Sequence, residues 1–166
     1  MAIKLSVLTV TYNNDNTISE YLESIKKYLP DYAELIIVDS GSSDQTLDKI
    51  SKLIKDPYFK AKKISLIESR QNIGFGKGIN MAAEKAKGEC LLFLNPDIKI
   101  KNTQSFDLLV GYYRENQHIG IIAPTLLLPD GRCQKSVRKL PTLLGAFKQY
   151  FLHRPRSYEE YDATCL

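Results

Sequence analysis

The stretch Ile36-Ile37-Val38-Asp39-Ser40-Gly41-Ser42-Ser43-Asp44 decides how this chain is read. Leu35 to Val38 is an apolar, mostly β-branched run, the composition of a strand covered on both faces of a parallel sheet. It breaks off at Asp39. Ser40 to Ser43 supply turn residues and a helix cap, and Thr46-Leu47 open a helical period. A carboxylate at the carboxyl end of a buried strand stands where open α/β sheets bind ligands. Its two oxygens can accept N–H or hydroxyl donors, although capping the next helix is the plainer use of the same residue.

The same grammar repeats on either side. Upstream, Ile3 to Val10 is a first strand, and Thr11-Tyr12-Asn13-Asn14 bring polar groups to its end. Thr17 with Glu20 reads as a capping box; Ile18, Tyr21, Leu22, Ile25 and Leu29 keep the helical period until Pro30. Downstream, Leu47, Ile50, Leu53 and Ile54 mark a second amphipathic helix, and Ile64 to Ile67 a third strand. A glycine-rich segment, Arg70 to Asn80, leads into an alanine-rich helix that runs to Lys87, with Gly88 as its stop. Cys90 to Leu94 is a fourth strand cut off by Asn95-Pro96-Asp97, and Phe106, Leu109, Val110 and Tyr113 mark another helix. Ile119 to Leu128 predicts a further strand, interrupted at Pro124 and followed by a Pro-Asp-Gly turn at 129–131. A short helix is expected over 141–151. Strands alternating with helices predict an α/β fold: a doubly wound, mostly parallel sheet with helices on both faces.

The totals agree with one ordinary soluble domain. The chain has 166 residues, 43% of them hydrophobic and 25% charged. No apolar run reaches the roughly 20 residues of a membrane span, and no signal peptide opens the chain. Cys90, Cys133 and Cys165 are widely spaced, which favours reduced thiols in a cytoplasmic setting. A net charge of +4 is too mild to mark a nucleic-acid binder. Between Gly131 and Tyr158, however, seven Lys or Arg occur without one acid. Such a face is usually only solvated; it also suits a phosphate-rich or anionic-lipid neighbour.

In a parallel sheet the three polar strand ends, Thr11-Tyr12-Asn13, Asp39 and Asp97, share one edge and can converge there. Tyr12 can stack on a base or belong to the core. Arg70 can meet a phosphate as a bidentate fork or remain a surface arginine. Gly74, Gly76 and Gly78 let backbone approach a ligand before a helix. They do not complete a dinucleotide fingerprint, because Ile79 stands where its last glycine belongs, and no Gly-Lys-Ser/Thr ending makes them a phosphate loop. Asp97 follows a stiffening proline and suits a hard divalent cation completed by substrate phosphates. Asn95 adds a neutral oxygen or caps a turn.

Val10-Thr11-Tyr12-Asn13, the stretch from Ile37 to Asp44, Asn72-Ile73-Gly74-Phe75-Gly76 through Asn80, and Leu94-Asn95-Pro96-Asp97 occur in the order found in inverting family-two glycosyltransferases. The chain resembles that family over residues 3 to about 140. Asn-Pro-Asp, with Asp130-Gly131-Arg132 and Ser136 to Arg138 after it, looks most like the rhamnosyltransferase-like members that build bacterial surface polysaccharides. The resemblance implies the A-type nucleotide-sugar fold and transfer, with inversion, from a UDP- or TDP-linked sugar to a saccharide or lipid-linked acceptor. It implies that Thr11, Tyr12 and Asn13 line the nucleoside pocket and that Asp39 receives the base. Arg70 would sit near base and diphosphate, with Asn72, Gly74, Asn80 and Asn95 around the nucleotide. Asp97 stands at the last acid of the family's Asp-x-Asp motif and would hold Mg²⁺ or Mn²⁺, while Asn95 replaces the first acid.

No catalytic base is assigned, because Glu159, Glu160 and Asp162 do not match the family's downstream acidic motif. The expected organisation is a nucleotide-sugar-binding domain over 1–130 and a basic segment, 131–166, that begins an acceptor side and is cut short. The alternative is a nucleotide-sugar-binding module without turnover. A nucleotidyltransferase ranks lower, since Thr11 to Asn14 occupy the place of its glycine-rich basic loop. The basic segment further suggests peripheral contact with the inner face of a membrane.

Overall fold

A computed structural model describes residues 4–60, 63–134, 136–138, 151 and 160–161. The chain divides into two compact units, Met1–His118 and Ile119–Leu166. In the first, the elements run β1 (Leu5–Thr11), α1 (Ile18–Tyr28), β2 (Ala33–Asp39), α2 (Thr46–Ile54), α3 (Pro57–Lys60), β3 (Lys63–Glu68), α4 (Phe75–Lys85), β4 (Cys90–Phe93) and α5 (Gln104–Glu115). All pairings are parallel, in the order β3-β2-β1-β4. Leu5 lies opposite both Ala33 and Cys90, and Thr11 opposite Asp39.

The central strands are buried along their whole length, which is why they read as continuous apolar runs. Leu5, Val7, Leu35 and Ile37 face α1, α2 and α5 through Ile18, Tyr21, Ile25, Ile50, Phe106 and Val110. Leu8, Val10, Ile36 and Val38 face the other way, against Ile79 and Ala82 of α4. Helices therefore cover both faces, and the doubly wound parallel sheet expected from the alternating pattern is present. Its winding reverses between β1 and β4, the place where such sheets open a crevice at the carboxyl ends of their strands.

Several local expectations are corrected. Thr17 and Glu20 form no capping box: Thr17 is helical at φ −112° and ψ −28°, and its hydroxyl donates back to the Asn14 carbonyl at 3.4 Å. Glu20 instead pairs with Lys99. The start of α2 is capped by Asp44, whose Oδ1 accepts the Thr46 N–H at 2.9 Å, and not from Ser40 to Ser43. Helix α4 stops at Lys85, with Ala86 already extended at φ −65° and ψ 140°. Gly88 is required for a different reason: a Cβ there would lie 2.5 Å from the Ser6 nitrogen and 2.6 Å from the Leu5 carbonyl carbon. The close approach lets the Gly88 N–H donate to Ser6 Oγ at 2.8 Å, while buried Glu34 accepts from the Ser6 hydroxyl and the Lys87 N–H, both at 2.6 Å.

In the second unit, residues 119–128 form no strand. Pro124 lacks a ladder donor, and only a single antiparallel bridge joins Leu127 to Cys133. The Pro-Asp-Gly turn is present, with Gly131 at φ 84° donating its N–H to the Leu128 carbonyl at 2.9 Å. Strands β5 (Val137–Arg138) and β6 (Glu160–Tyr161) pair antiparallel. Cys133 is disulfide-bonded, against the expectation of reduced thiols, whereas Cys90 of β4 is a free thiol. The helix expected over 141–151 lies outside the described residues apart from Phe151, as does most of the basic segment.

Candidate functional site

Where β1 and β4 end, a crevice of about 380 Å³ opens, walled by Val10, Tyr12 and Asn14 on one side and by Asn95, Pro96 and Asp97 on the other. Ser40, Asn72, Gly74 and Phe75 complete it. The strand-end segments that lie far apart in sequence thus do meet along one edge.

Two of the expected residues meet each other rather than the cavity. Thr11 and Asp39 are buried, and the Thr11 hydroxyl donates to Asp39 Oδ2 at 2.8 Å. The Ser42 hydroxyl donates to the same oxygen at 2.6 Å, and the Ser42 N–H to Oδ1 at 2.9 Å. Three donors thereby fold the 40–43 loop back over the strand end.

Asn13, in the left-handed region at φ 52°, staples the neighbouring loop. Its N–H donates to Ser42 Oγ at 3.0 Å, and its Oδ1 accepts the Ser43 N–H at 2.9 Å. A further pin lies beneath: Asn14 N–H donates to Thr46 Oγ1 at 2.7 Å and Asp15 N–H to Asp44 Oδ2 at 3.1 Å. Partial burial pushes the Asp44 carboxyl up, but the hydrogen bonds from Thr46 and Asp15 outweigh it and hold the group below its ordinary value.

The loop before α4 is tied to β2's end. Ser40 Oγ accepts the Ile73 N–H at 2.9 Å and donates to Asn72 Oδ1 at 3.2 Å; that same Oδ1 accepts the Gly74 N–H at 2.8 Å. With its oxygen occupied twice, Asn72 keeps its amide hydrogens for the crevice. Gly41, at φ +73°, permits the packing, since a Cβ there would sit 2.6 Å from the Gln71 carbonyl carbon. Gly74, at φ 76°, turns the chain into the helix.

Of the residues singled out from sequence, Tyr12, Asn72, Gly74, Asn95 and Asp97 line the crevice, while Arg70 and Asn80 are exposed outside its wall. Asn14, Ser40 and Phe75 are additions. Asn14 and Ser40 each adjoin a residue already chosen, and Phe75 is an aromatic set between two glycines at a helix start. Among the described residues Asp97 is the only charged group in the wall, and no Lys or Arg lines it. Among the described residues no three His, Cys, Asp or Glu side chains converge to cage an ion. An exposed carboxylate beside an amide nevertheless fits a hard divalent cation that takes its other ligands from phosphate and water.

The model of glycosyl transferase family 2 matches residues 6–158. The teichoic acid poly(glycerol phosphate) polymerase of Staphylococcus epidermidis is 32% identical over 123 residues, 73% of this chain and 16% of that protein. The poly(ribitol-phosphate) beta-N-acetylglucosaminyltransferase TarS of Staphylococcus aureus is 35% identical over 97 residues, 57% of this chain and 16% of that one. This chain thus spans about a sixth of the length of either relative. Among solved structures, S. aureus TarS 1-349 in complex with UDP-GlcNAc superposes with a TM-score of 0.59 at 31% identity, covering 69% of this chain and 32% of that one. The mannosyltransferase PcManGT from Pyrobaculum calidifontis, in complex with GDP-Man and Mn²⁺, shares the fold at a TM-score of 0.62 and 23% identity, covering 68% and 33%.

Proposed function

The chain belongs to glycosyl transferase family 2, and from that premise we propose that its crevice is the donor site of an inverting transfer. A nucleotide-diphospho-sugar, UDP- or TDP-linked, would lie across the ends of β1 and β4, with a polymeric or lipid-linked saccharide or polyol phosphate as acceptor. The observation that carries this reading is the charge of the wall: among the described residues it holds one carboxylate, Asp97, and no cationic side chain. A dianion next to that carboxylate is repelled unless a cation lies between them. Mg²⁺ or Mn²⁺, held by Asp97 with Asn95 beside it, would neutralise charge on the departing diphosphate.

The chain's own groups then bind and orient. Tyr12 supplies a flat apolar surface to the base, while buried Asp39 orders that end through its bonds from Thr11 and Ser42, with Asn13 stapling the loop. Asn72 directs its amide hydrogens at ribose or phosphate oxygens. Arg70, exposed outside the wall, would meet the diphosphate only from beyond it, while Gly74 and Asn80 would shape the start of α4.

Calorimetric titration with UDP, TDP and GDP, with Mn²⁺ and with EDTA, tests the reading. UDP or TDP should bind with Mn²⁺ and weaken by at least about tenfold in EDTA; the Asp97→Ala variant should lose the difference. Failure of every nucleotide to bind in either condition overturns the proposal.

A second reading, donor binding without turnover, is favoured by one observation: among the described residues Asp97 is the sole acid in the crevice, and with it holding the proposed cation none would be left there to deprotonate an acceptor. Transfer assays with polyol-phosphate acceptors separate the two, because product formation by this chain alone excludes the second.

No helix among the described residues is long and apolar enough to cross a membrane. We keep a cytoplasmic setting with peripheral membrane contact through the basic 131–158 segment as a proposal. Sedimentation with anionic vesicles at low and high salt checks it: pelleting confined to low salt is the expected result.

A further inference from the structure

We infer that Phe75 is a donor-contacting residue whose ring receives the apolar face of the transferred sugar, an inference that rests on the donor-site reading above. Phe75 is the first residue of α4, lines the crevice, and leaves 56% of its surface exposed. A phenylalanine so placed gains little from folding, and an exposed aromatic in a concave, polar-rimmed site marks a surface that a ligand covers.

The neighbouring backbone is open on both sides of Phe75. A Cβ at Gly74 or Gly76, on either side of Phe75, would meet nothing within 4 Å. The backbone beneath is nevertheless held, through the Ser40 bonds to Ile73 and Asn72 and the Asn72 bond to Gly74. One turn on, Gly78 rests on Val10, where a Cβ would come within 2.9 Å of Val10 Cγ2, so the helix start is fixed over the end of β1. The half-exposed ring thus stands on a fixed stretch of backbone.

The crevice holds a second exposed aromatic, Tyr12, next to the buried Thr11–Asp39 pair that marks the base end. A nucleotide-diphospho-sugar presents two flat apolar surfaces, the base and the C–H face of the pyranose. Tyr12 takes the first; Phe75, the other exposed aromatic lining the crevice, takes the second.

The test compares a sugar nucleotide with its bare nucleoside diphosphate. UDP-GlcNAc, UDP-glucose and GDP-mannose, each beside UDP or GDP, are titrated with Mn²⁺ into the 166-residue chain and into Phe75→Ala, Phe75→Leu and Phe75→Tyr. Phe75→Ala should weaken the tightest-binding sugar nucleotide about tenfold and shift the matching diphosphate by less than about twofold. Phe75→Tyr should keep both affinities, and Phe75→Leu should fall between. Equal losses for sugar nucleotide and diphosphate would overturn the inference while leaving the donor site intact, and so would no loss at all. If the parent chain binds no nucleotide, the donor-site reading falls, and this one with it. Thermal melting of each variant provides the folding control, and Phe75→Leu, which keeps apolar bulk, carries the comparison if Phe75→Ala does not fold.

Discussion

Thr11 and Asp39 stand opposite each other at the ends of β1 and β2, and the Thr11 hydroxyl donates to Asp39 Oδ2 at 2.8 Å within the buried interior. The contact makes Asp39 a structural element beside the crevice.

Replacing Asp39 with Ala strands the Thr11 hydroxyl, the Ser42 hydroxyl and the Ser42 N–H. Stability should drop by about 2–4 kcal/mol, against about 1 kcal/mol for Asp39→Asn, which keeps an acceptor. Urea unfolding measures both, and an unchanged midpoint in Asp39→Ala would remove the three-donor clamp from the account.

Ser40→Ala removes the acceptor of the Ile73 N–H and a donor to Asn72. A cost of about 1–2 kcal/mol is expected, with faster hydrogen exchange at residues 73 and 74 and weaker nucleotide binding. Protection of those amides equal to that in the parent chain would show that the loop holds itself.

Gly88→Ala forces a Cβ into the backbone of Leu5 and Ser6 and pulls apart the Ser6–Glu34–Lys87 network. The expected loss is about 1–3 kcal/mol or more. Because these groups sit at the start of β1 and beside β2's first residues, the folded variant should bind nucleotide as the parent does. A drop in affinity without a drop in stability would contradict that separation.

Acid should act partly through Asp44, whose folded-state pKa lies below its unfolded one. Its contribution is present above about pH 4, the unfolded carboxylate range, and is lost as pH falls through the folded value. Asp44→Asn should flatten the fall in stability on the acid side of about pH 4 and leave the neutral range nearly parallel to the parent. Denaturation curves between about pH 2.5 and 7 read this directly, and identical acid slopes would assign the dependence to other groups.

Much of this was legible in one dimension because it depends on period and punctuation. Apolar runs ended by Asn13, Asp39 and Asn95-Pro96-Asp97 announced the strands and their ligand edge, and helical spacing announced α1, α2, α4 and α5. The misreadings share a cause. Thr17-x-x-Glu20 has the letters of a capping box, but Thr17 takes helical dihedrals and Glu20 is drawn to Lys99, 79 residues on. Gly88 has the letter of a helix stop, yet its lack of a side chain serves β1. Residues 119–128 have strand-like composition, but among the described residues their only ladder pairing is the bridge from Leu127 to Cys133.

Sequence alone determined the winding of the sheet: strand-sized apolar runs must be buried on both faces, and crossovers of helical length leave parallel pairing as the outcome. Tertiary structure decided the division of labour at its edge. Register set Thr11 against Asp39 and turned both inward, while the folding of two loops onto each other through Gly41 and Ser40 brought Asn72 and Phe75 to the crevice. Such pairings depend on the relative placement of segments about 30 residues apart, which local propensity does not encode.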